Sequence, residues 1–295
     1  MITNIDADAM LRWLPALAST LDLHQDEINA LNVFPIPDGD TGTNMALTVR
    51  AGVDALAETG LLGGGSGAQG SSAGEVADRF SAGSLSGARG NSGVILAAYL
   101  QALLTQLADG GTPVEFARAL ESATDAAYAS VGEPVDGTIL SVASAAAEAA
   151  LATVADGTDT QLDTLVLEVV HAAVSALDLT PAQLPALARA GVVDAGGRGL
   201  VVVLESLCEL VTGVRMDKVP AVLAAPNIEG CVTSNGAFEV MYALDTSADQ
   251  ISGLREVLVS IGESVVIAGA DSMWSVHVHT DDAGAAIEAG VSVGR

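Results

Sequence analysis

Between Asp6 and about Leu210 the apolar residues recur three and four positions apart and almost never alternate, a rhythm that packed helices use and strands do not. Leu11, Leu14, Leu17, Ala18 and Leu21 set it at the start, and Pro15 among them is expected to confine regular helix to one side of itself or to kink it. Further helical stretches are expected at about 43–56, 92–107, 113–130, 139–154, 162–177 and 197–211, each bounded by Gly, Pro, Asp or Thr. Aromatic residues are 3% of a chain that is 50% hydrophobic, so these helices must meet at close range through Ala, Val and Leu. The expected fold is an all-α bundle or helical barrel.

Around 217–235 the helical rhythm stops, interrupted by Pro220 and Pro226, and a different one begins. Residues 238–244 read as a strand, 252–261 as a helix, 264–268 and 274–279 as strands, and 283–291 as a helix. That β-α-β-β-α order is one strand short of a ferredoxin-like split βαβ domain. The expected division is a helical domain over 1–216, a linker over 217–233 and a partial α/β domain over 234–295. The missing strand implies a partial chain, and the open edge of such a domain offers a surface for a homodimer.

Charge narrows the partners. There are 37 acidic and 11 basic residues, a formal net charge of −26, and Lys218 is the single lysine. Nucleic acid is excluded as a partner, because its phosphates need Lys and Arg, and an acidic membrane surface would repel the chain. The longest apolar runs, such as 199–204, are far too short to span a bilayer, and Asp6 and Asp8 stand where a signal peptide would carry positive charge. Cys208 and Cys231 are too few for a disulfide framework and suit a reducing compartment, so a cytoplasmic location is expected. With no lysine before position 218, any nucleotide must be met by metal ions, backbone N–H groups or an arginine.

The segment that carries chemistry is Asn32-Val33-Phe34-Pro35-Ile36-Pro37-Asp38-Gly39-Asp40-Thr41-Gly42-Thr43-Asn44-Met45. Two prolines stiffen the approach, and an extended backbone between Asp38 and Asp40, as alternate residues, would let both carboxylates point toward one cation. Thr41, Gly42, Thr43 and Asn44 then open a helix whose first N–H groups are expected to face an anion. An EF-hand loop would need further acidic residues and a Glu at its twelfth position, where Val49 stands. A Walker A motif would need a lysine that the region lacks.

This segment resembles the signature of the helical ATP-binding domain shared by two groups of kinase components, the L subunits of dihydroxyacetone kinases and the ATP-binding subunits of fatty acid kinases. Its Asn-Val-Phe-Pro-x-Pro approach is similar to the fatty acid kinase branch. The resemblance continues through Leu85-Ser86-Gly87-Ala88-Arg89-Gly90-Asn91-Ser92-Gly93, Pro134-Val135-Asp136-Gly137-Thr138 and Val193-Asp194-Ala195-Gly196-Gly197-Arg198. It implies a barrel of antiparallel helices in which Asp38 and Asp40 hold two magnesium ions between ATP phosphates. Dihydroxyacetone kinases present a third aspartate before the pair, and the nearest counterpart here is Asn32, a neutral and weaker ligand that is expected to hold magnesium, a water or a phosphate oxygen.

Gly90, Asn91, Ser92 and Gly93 precede an apolar helix, so their N–H groups and the Ser92 hydroxyl suit a phosphate, with plain N-capping as the alternative. Arg89 is the nearest cation to a γ-phosphate, or a surface ion-pair partner. Gly137 and Thr138 start another helix. By resemblance Thr138 stands near the nucleotide, and Asp194 and Gly196 belong to the segment closing over its ribose and adenine side. The Gly- and Ser-rich stretch at 60–74 reads as a mobile loop, a linker or a lid over that nucleotide. His277 and His279 fall on one expected strand and share a face. Fatty acid kinases that this chain resembles join a Cys to such a pair, whereas here Glu239 takes that position and Cys231 lies earlier, so the readings are a zinc site with Glu239 as an oxygen ligand or a merely structural pair. His24 and His171 show no partner spacing.

The activity implied is ATP-dependent phosphorylation of a fatty acid carboxylate, presented by a separate fatty-acid-binding protein, to give an acyl phosphate. Such an acceptor is already ionised at neutral pH and needs no general base. The alternatives are a nucleotide-binding scaffold without turnover or a glycerone-type kinase subunit.

Overall fold

The apolar rhythm at the N-terminus becomes one 25-residue helix, α1 (Ala7–Leu31), started by Asp6, whose side chain accepts the Ala9 N–H at 2.9 Å. It continues through Pro15, so regular helix is not confined to one side of that residue. A proline in a helix interior costs about 3 kcal/mol. Met10, Trp13, Leu14, Leu17 and Leu21 are buried on either side of it, each worth about 1.5–3 kcal/mol, and together they outweigh that loss.

The computed structural model describes residues 2–62, 71–155, 160–215, 236–270 and 272–295. After α1 come α2 (Thr41–Glu58), α3 (Ala73–Ser86), α4 (Gly90–Asp109), α5 (Pro113–Ser130), α6 (Ile139–Ala155), α7 (Leu162–Gln183), α8 (Pro185–Ala190) and α9 (Ala195–Thr212). Each helix from α1 to α6 packs on its successor, and α9 packs on both α7 and α1, so the long helices close into a ring. Short connections make successive members antiparallel, which is the helical barrel that the sequence leads one to expect. Trp13, Phe80, Tyr99 and Phe116 are buried in its core among Leu, Val and Ala.

Two boundaries differ from expectation for visible reasons. Helix α7 continues past 177 through Pro181, because the Thr180 hydroxyl donates to the Leu177 carbonyl at 2.7 Å, the acceptor that Pro181 leaves without an N–H. Helix α3 has no counterpart in the expected set. It is started by Ser72, whose hydroxyl accepts the Glu75 N–H at 3.1 Å, a Ser-x-x-Glu capping pattern that the Gly- and Ser-rich stretch before it obscures. Most of the expected 60–74 loop, the whole 217–233 linker and Cys231 lie outside the described residues. No helix among the described residues is long and apolar enough to cross a membrane.

Beyond residue 235 the order is β1 (Phe238–Asp245), α10 (Ala248–Ile261), β2 (Gly262–Ala270), β3 (Met273–Thr280) and α11 (Ala283–Val293), the expected β-α-β-β-α. The strands form an antiparallel sheet ordered β1-β3-β2. A period of two sorts their side chains. Val240, Leu244, Val265, Ile267, Val276 and Val278 pack against Ile251, Leu254, Leu258, Ala286 and Ala289 of α10 and α11. Met241, Val266 and Ala268, on the other face, pack onto the helical ring. The backbone of Arg295 exchanges hydrogen bonds of 2.8 and 3.1 Å with Asp245, which sets the end of the chain beside β1.

Candidate functional site

The segment between α1 and α2 is shaped by two asparagines at the end of α1. Asn32 Oδ1 accepts from the Thr41 hydroxyl at 2.6 Å, the Thr41 N–H at 3.1 Å and the Asp40 N–H at 3.3 Å, while Asn32 Nδ2 donates to the Ile36 carbonyl at 2.7 Å. Asn29 Oδ1 accepts from the Gly42 and Thr43 N–H groups at 2.8 and 3.1 Å, and its Nδ2 donates to the Thr43 hydroxyl at 3.0 Å. The first-turn N–H groups of α2 are therefore spent on α1, not left open to an anion as the sequence suggests. Asn32 is likewise engaged as a cap and carries its bonds away from the magnesium role expected of it. Gly42 is what lets the two helices come this close: a Cβ there would press on the Gln25 carbonyl oxygen and on Ile28.

Held this way, Asp38 and Asp40 come within hydrogen-bonding reach of one another. Partial burial, the neighbouring Asp40 charge and their mutual hydrogen bond raise the Asp38 pKa from 3.8 to about 6. Two carboxylates pressed together in this way favour a cation between them.

They open onto a cavity of about 610 Å³, within the usual range for a small-molecule site. One wall is apolar, with Val33, Phe34, Ile36, Val135, Ile139, Leu140 and Leu184. The N-terminus of α4 forms another, through Gly90, Asn91 and Ser92. Gly90 adopts φ +56°, which starts that helix sharply, and its N–H donates to the Met241 sulfur at 3.4 Å. Arg89 precedes it without a side-chain cap, so neither Asn91 nor Ser92 serves as the N-cap. Asn91 Oδ1 is buried and has no hydrogen-bond partner. Thr138, Asp194 and Gly196 line the far side. Asp194 is 5% exposed and caps α9, accepting the Gly197 N–H at 2.7 Å; burial raises its pKa to about 6 against the bonds from Gly197 and Ile139.

The small sheet closes the cavity. His277 and His279 of β3 reach it from the sheet face opposite α10 and α11, their ring centroids 4.8 Å apart, and Glu239 lies across from His279 in the register. One ligand atom from each of these three residues lies within 4.8 Å of the others. His277 is 1% exposed with no hydrogen-bond partner on either ring nitrogen; its Nδ1 lies 3.5 Å from Glu239 Oε1. Burial and the adjacent His279 lower its pKa to about 3, and burial lowers that of His279 against the charges of Glu239, Asp40 and Glu263. A bulge in β2 between Glu263 and Val266 puts Ser264 at φ 54° on the cavity wall.

Of the residues singled out in the sequence, Asn32, Asp38, Asp40, Thr41, Asn44, Asn91, Ser92, Thr138, Asp194, Gly196, Glu239, His277 and His279 all line this one cavity. Gly42, Thr43, Gly93 and Arg89 do not. A Cβ on Gly93 would meet the Thr48 hydroxyl, so that glycine serves the packing of α4 on α2. Arg89 is exposed outside the lining, and the arginine on the wall is Arg189 at the end of α8. Arg189 escapes sequence reasoning because it sits outside every recognisable motif. Asn29 escapes it too, although a second Asn one helical turn before Asn32 is a readable sign of a shared capping face. His24 has a partner after all: its Nδ1 meets Glu27 Oε2 at 2.8 Å, in a buried group with Arg198 and Glu205 behind the site.

A ring of antiparallel helices followed by a small antiparallel sheet with its own helices is the architecture of a DAK2-type kinase subunit with its smaller α+β domain. Residues 35–209 match the DAK2 domain, and residues 235–295 match the FakA-like middle domain of fatty acid kinases; the chain belongs to this family. It is 32% identical over 311 residues to an uncharacterized protein of Staphylococcus saprophyticus, a match over 100% of this chain and 54% of that protein. It is 32% identical over 304 residues to protein YloV of Bacillus subtilis, over 96% of this chain and 52% of YloV. The chain thus spans about half the length of these curated relatives.

Proposed function

We propose that this chain binds ATP through magnesium held by Asp38 and Asp40, as the nucleotide-binding part of a kinase that phosphorylates the carboxylate of a fatty acid presented by a separate fatty-acid-binding protein. The observation that carries this reading is the charge of the cavity: among the described residues, Asp38, Asp40, Glu133, Asp194, Glu239 and Glu263 line it against one arginine, Arg189. A triphosphate enters such a wall only with cations between, and the Asp38–Asp40 pair is where two carboxylates already crowd each other. Magnesium bound there supplies neutralisation of charge on phosphate oxygens. The N–H groups of Asn91 and Ser92 and the Arg189 guanidinium are suited to hold phosphates, and the apolar wall to hold the base. The fatty-acid branch is favoured over a glycerone-type kinase by the match of residues 235–295.

Titration calorimetry with ATP, with and without magnesium, tests the nucleotide reading: affinity is expected only with the metal, and equal affinity in both cases removes it. ADP release on mixing with a fatty-acid-loaded binding protein, set against dihydroxyacetone, separates the two acceptors.

Glu239, His277 and His279 are proposed as zinc ligands. The unpartnered, neutral nitrogens of the buried His277 fit that role, since a metal ligand must be deprotonated. Elemental analysis is expected to give close to one zinc per chain, lost in His277→Ala; a zinc-free wild type, or a zinc content that survives the substitution, counts against it.

A further inference from the structure

The small sheet meets the helical ring through a seam that also lines the cavity, and one side chain crosses it with two bonds. Arg255 of α10 donates from Nη1 to the Ser130 carbonyl at 2.9 Å and from Nη2 to the Ala129 carbonyl at 2.8 Å, with a longer contact of 3.5 Å to the Ile267 carbonyl of β2. Ala129 and Ser130 end α5, where carbonyls lack intrahelical partners and a cation is favoured. In a chain of net charge −26, this guanidinium makes no ion pair among the described residues and gives its donors to backbone oxygens. Directly after the capped helix end, Val131 bridges Val266, and the Gly132 N–H donates to the Val265 carbonyl at 2.8 Å. Val131, Val265 and Val266 are cavity wall.

We propose that Arg255 is a positioning residue, a latch that fixes β2 against the end of α5 and so holds the His277–His279 face of the sheet over the Asp38–Asp40 mouth. Capping the last turn of α5 fixes where the backbone leaves the helix, and that exit strand is the one β2 pairs with. Without the cap, the pairing of Val131 with Val266 keeps the Gly132 N–H bond to the Val265 carbonyl but loses the side chain that fixes the helix end beside it. Its consequence for nucleotide affinity rests on the function proposed above, whereas the latch itself does not.

The test compares the full chain with Arg255→Met, which keeps the apolar stem and removes every donor, and with Arg255→Lys, which keeps charge and one donor group. Hydrogen exchange is read in peptides covering 131–135 and 262–268, and magnesium-ATP affinity by calorimetry. Arg255→Met is expected to speed exchange in those two segments about tenfold and weaken magnesium-ATP binding by a similar factor, with the α4 and α9 cores unchanged. Arg255→Lys is expected to recover part of both. Unchanged exchange at the seam overturns the latch, and faster exchange with full nucleotide affinity overturns its positioning role. If Arg255→Met loosens α10 and β3 throughout, the lysine variant decides by the same two readings. A wild type that binds no ATP removes the kinase reading, and the exchange result alone then decides the latch.

Discussion

Arg198→Met is expected to destabilise the chain by about 3–5 kcal/mol, because it strips the cation from a buried group and leaves two carboxylates facing each other. The Arg198 side chain is 4% exposed; Nε donates to Glu27 Oε1 at 2.8 Å and Nη1 to Glu205 Oε2 at 3.1 Å. Burial alone would raise the Glu27 pKa, but the hydrogen bonds and charges of His24 and Arg198 overcome it and bring it from 4.5 to about 2. A carboxylate whose pKa is depressed by folding adds stability that is fully present above its unfolded value and disappears as pH falls through the folded one. For Glu27 that window runs from about 4.5 down to about 2, and the shift corresponds to roughly 3 kcal/mol. Denaturant titrations at pH 7, 4 and 2.5 are expected to show the wild type losing this increment on acidification. Arg198→Met starts lower and loses less, so the gap closes. A variant within about 1 kcal/mol of wild type at pH 7, or parallel pH slopes, refutes the account.

The same group matters to the cavity because of where its members stand. Glu27 is two residues before Asn29 and five before Asn32, the residues that shape the Asp38–Asp40 segment. Arg198 is one turn along α9 from Asp194, which lines the opposite wall. Tying α1 to α9 here aligns two walls that share no backbone hydrogen bond among those described.

This division between what touches the cavity and what aims it also explains what the sequence could tell. The carboxylate pair, the α4 opening, Thr138 and Asp194 lie in local strings whose spacing carries meaning, and the structure gathers them. The His277–His279 pair was legible because a strand repeats every two residues. Asn29, Arg198 and Arg255 act across 13, 171 and 125 positions of chain, and no local pattern encodes such distances. Arg89 drew attention by standing next to a motif, whereas Arg189 reaches the wall through α8, a six-residue helix without an amphipathic repeat long enough to read. Within the fold, Pro15 and Pro181 look identical as helix breakers. Only the packing around the first and the Thr180 hydroxyl beside the second show why neither breaks its helix.

On the function proposed above, Asp38→Asn and Asp40→Asn are each expected to weaken magnesium-dependent ATP binding by about a hundredfold, ~3 kcal/mol, since either would remove one of the two charges offered to the cation. Asp38→Asn carries a second, opposite signature. Its folded pKa of about 6 lies above the unfolded 3.8, so the stability it contributes is complete below 3.8 and is lost as pH rises through 6. At neutral pH the metal-free wild type therefore holds a repelling charge that the amide lacks. Because Asp38 opens to solvent, the gain on substitution is small, under about 1 kcal/mol, or a rise of about 2–4 °C in melting temperature at most. Adding magnesium and ATP is expected to raise the melting temperature of the wild type and leave that of the variant unmoved, reversing their order. Thermal melts at pH 5 and 7.5, with and without magnesium-ATP, measure both signs at once. A variant that melts below the wild type without metal, or that keeps nucleotide affinity within about fivefold of it, means the two aspartates face each other for a reason other than holding a cation.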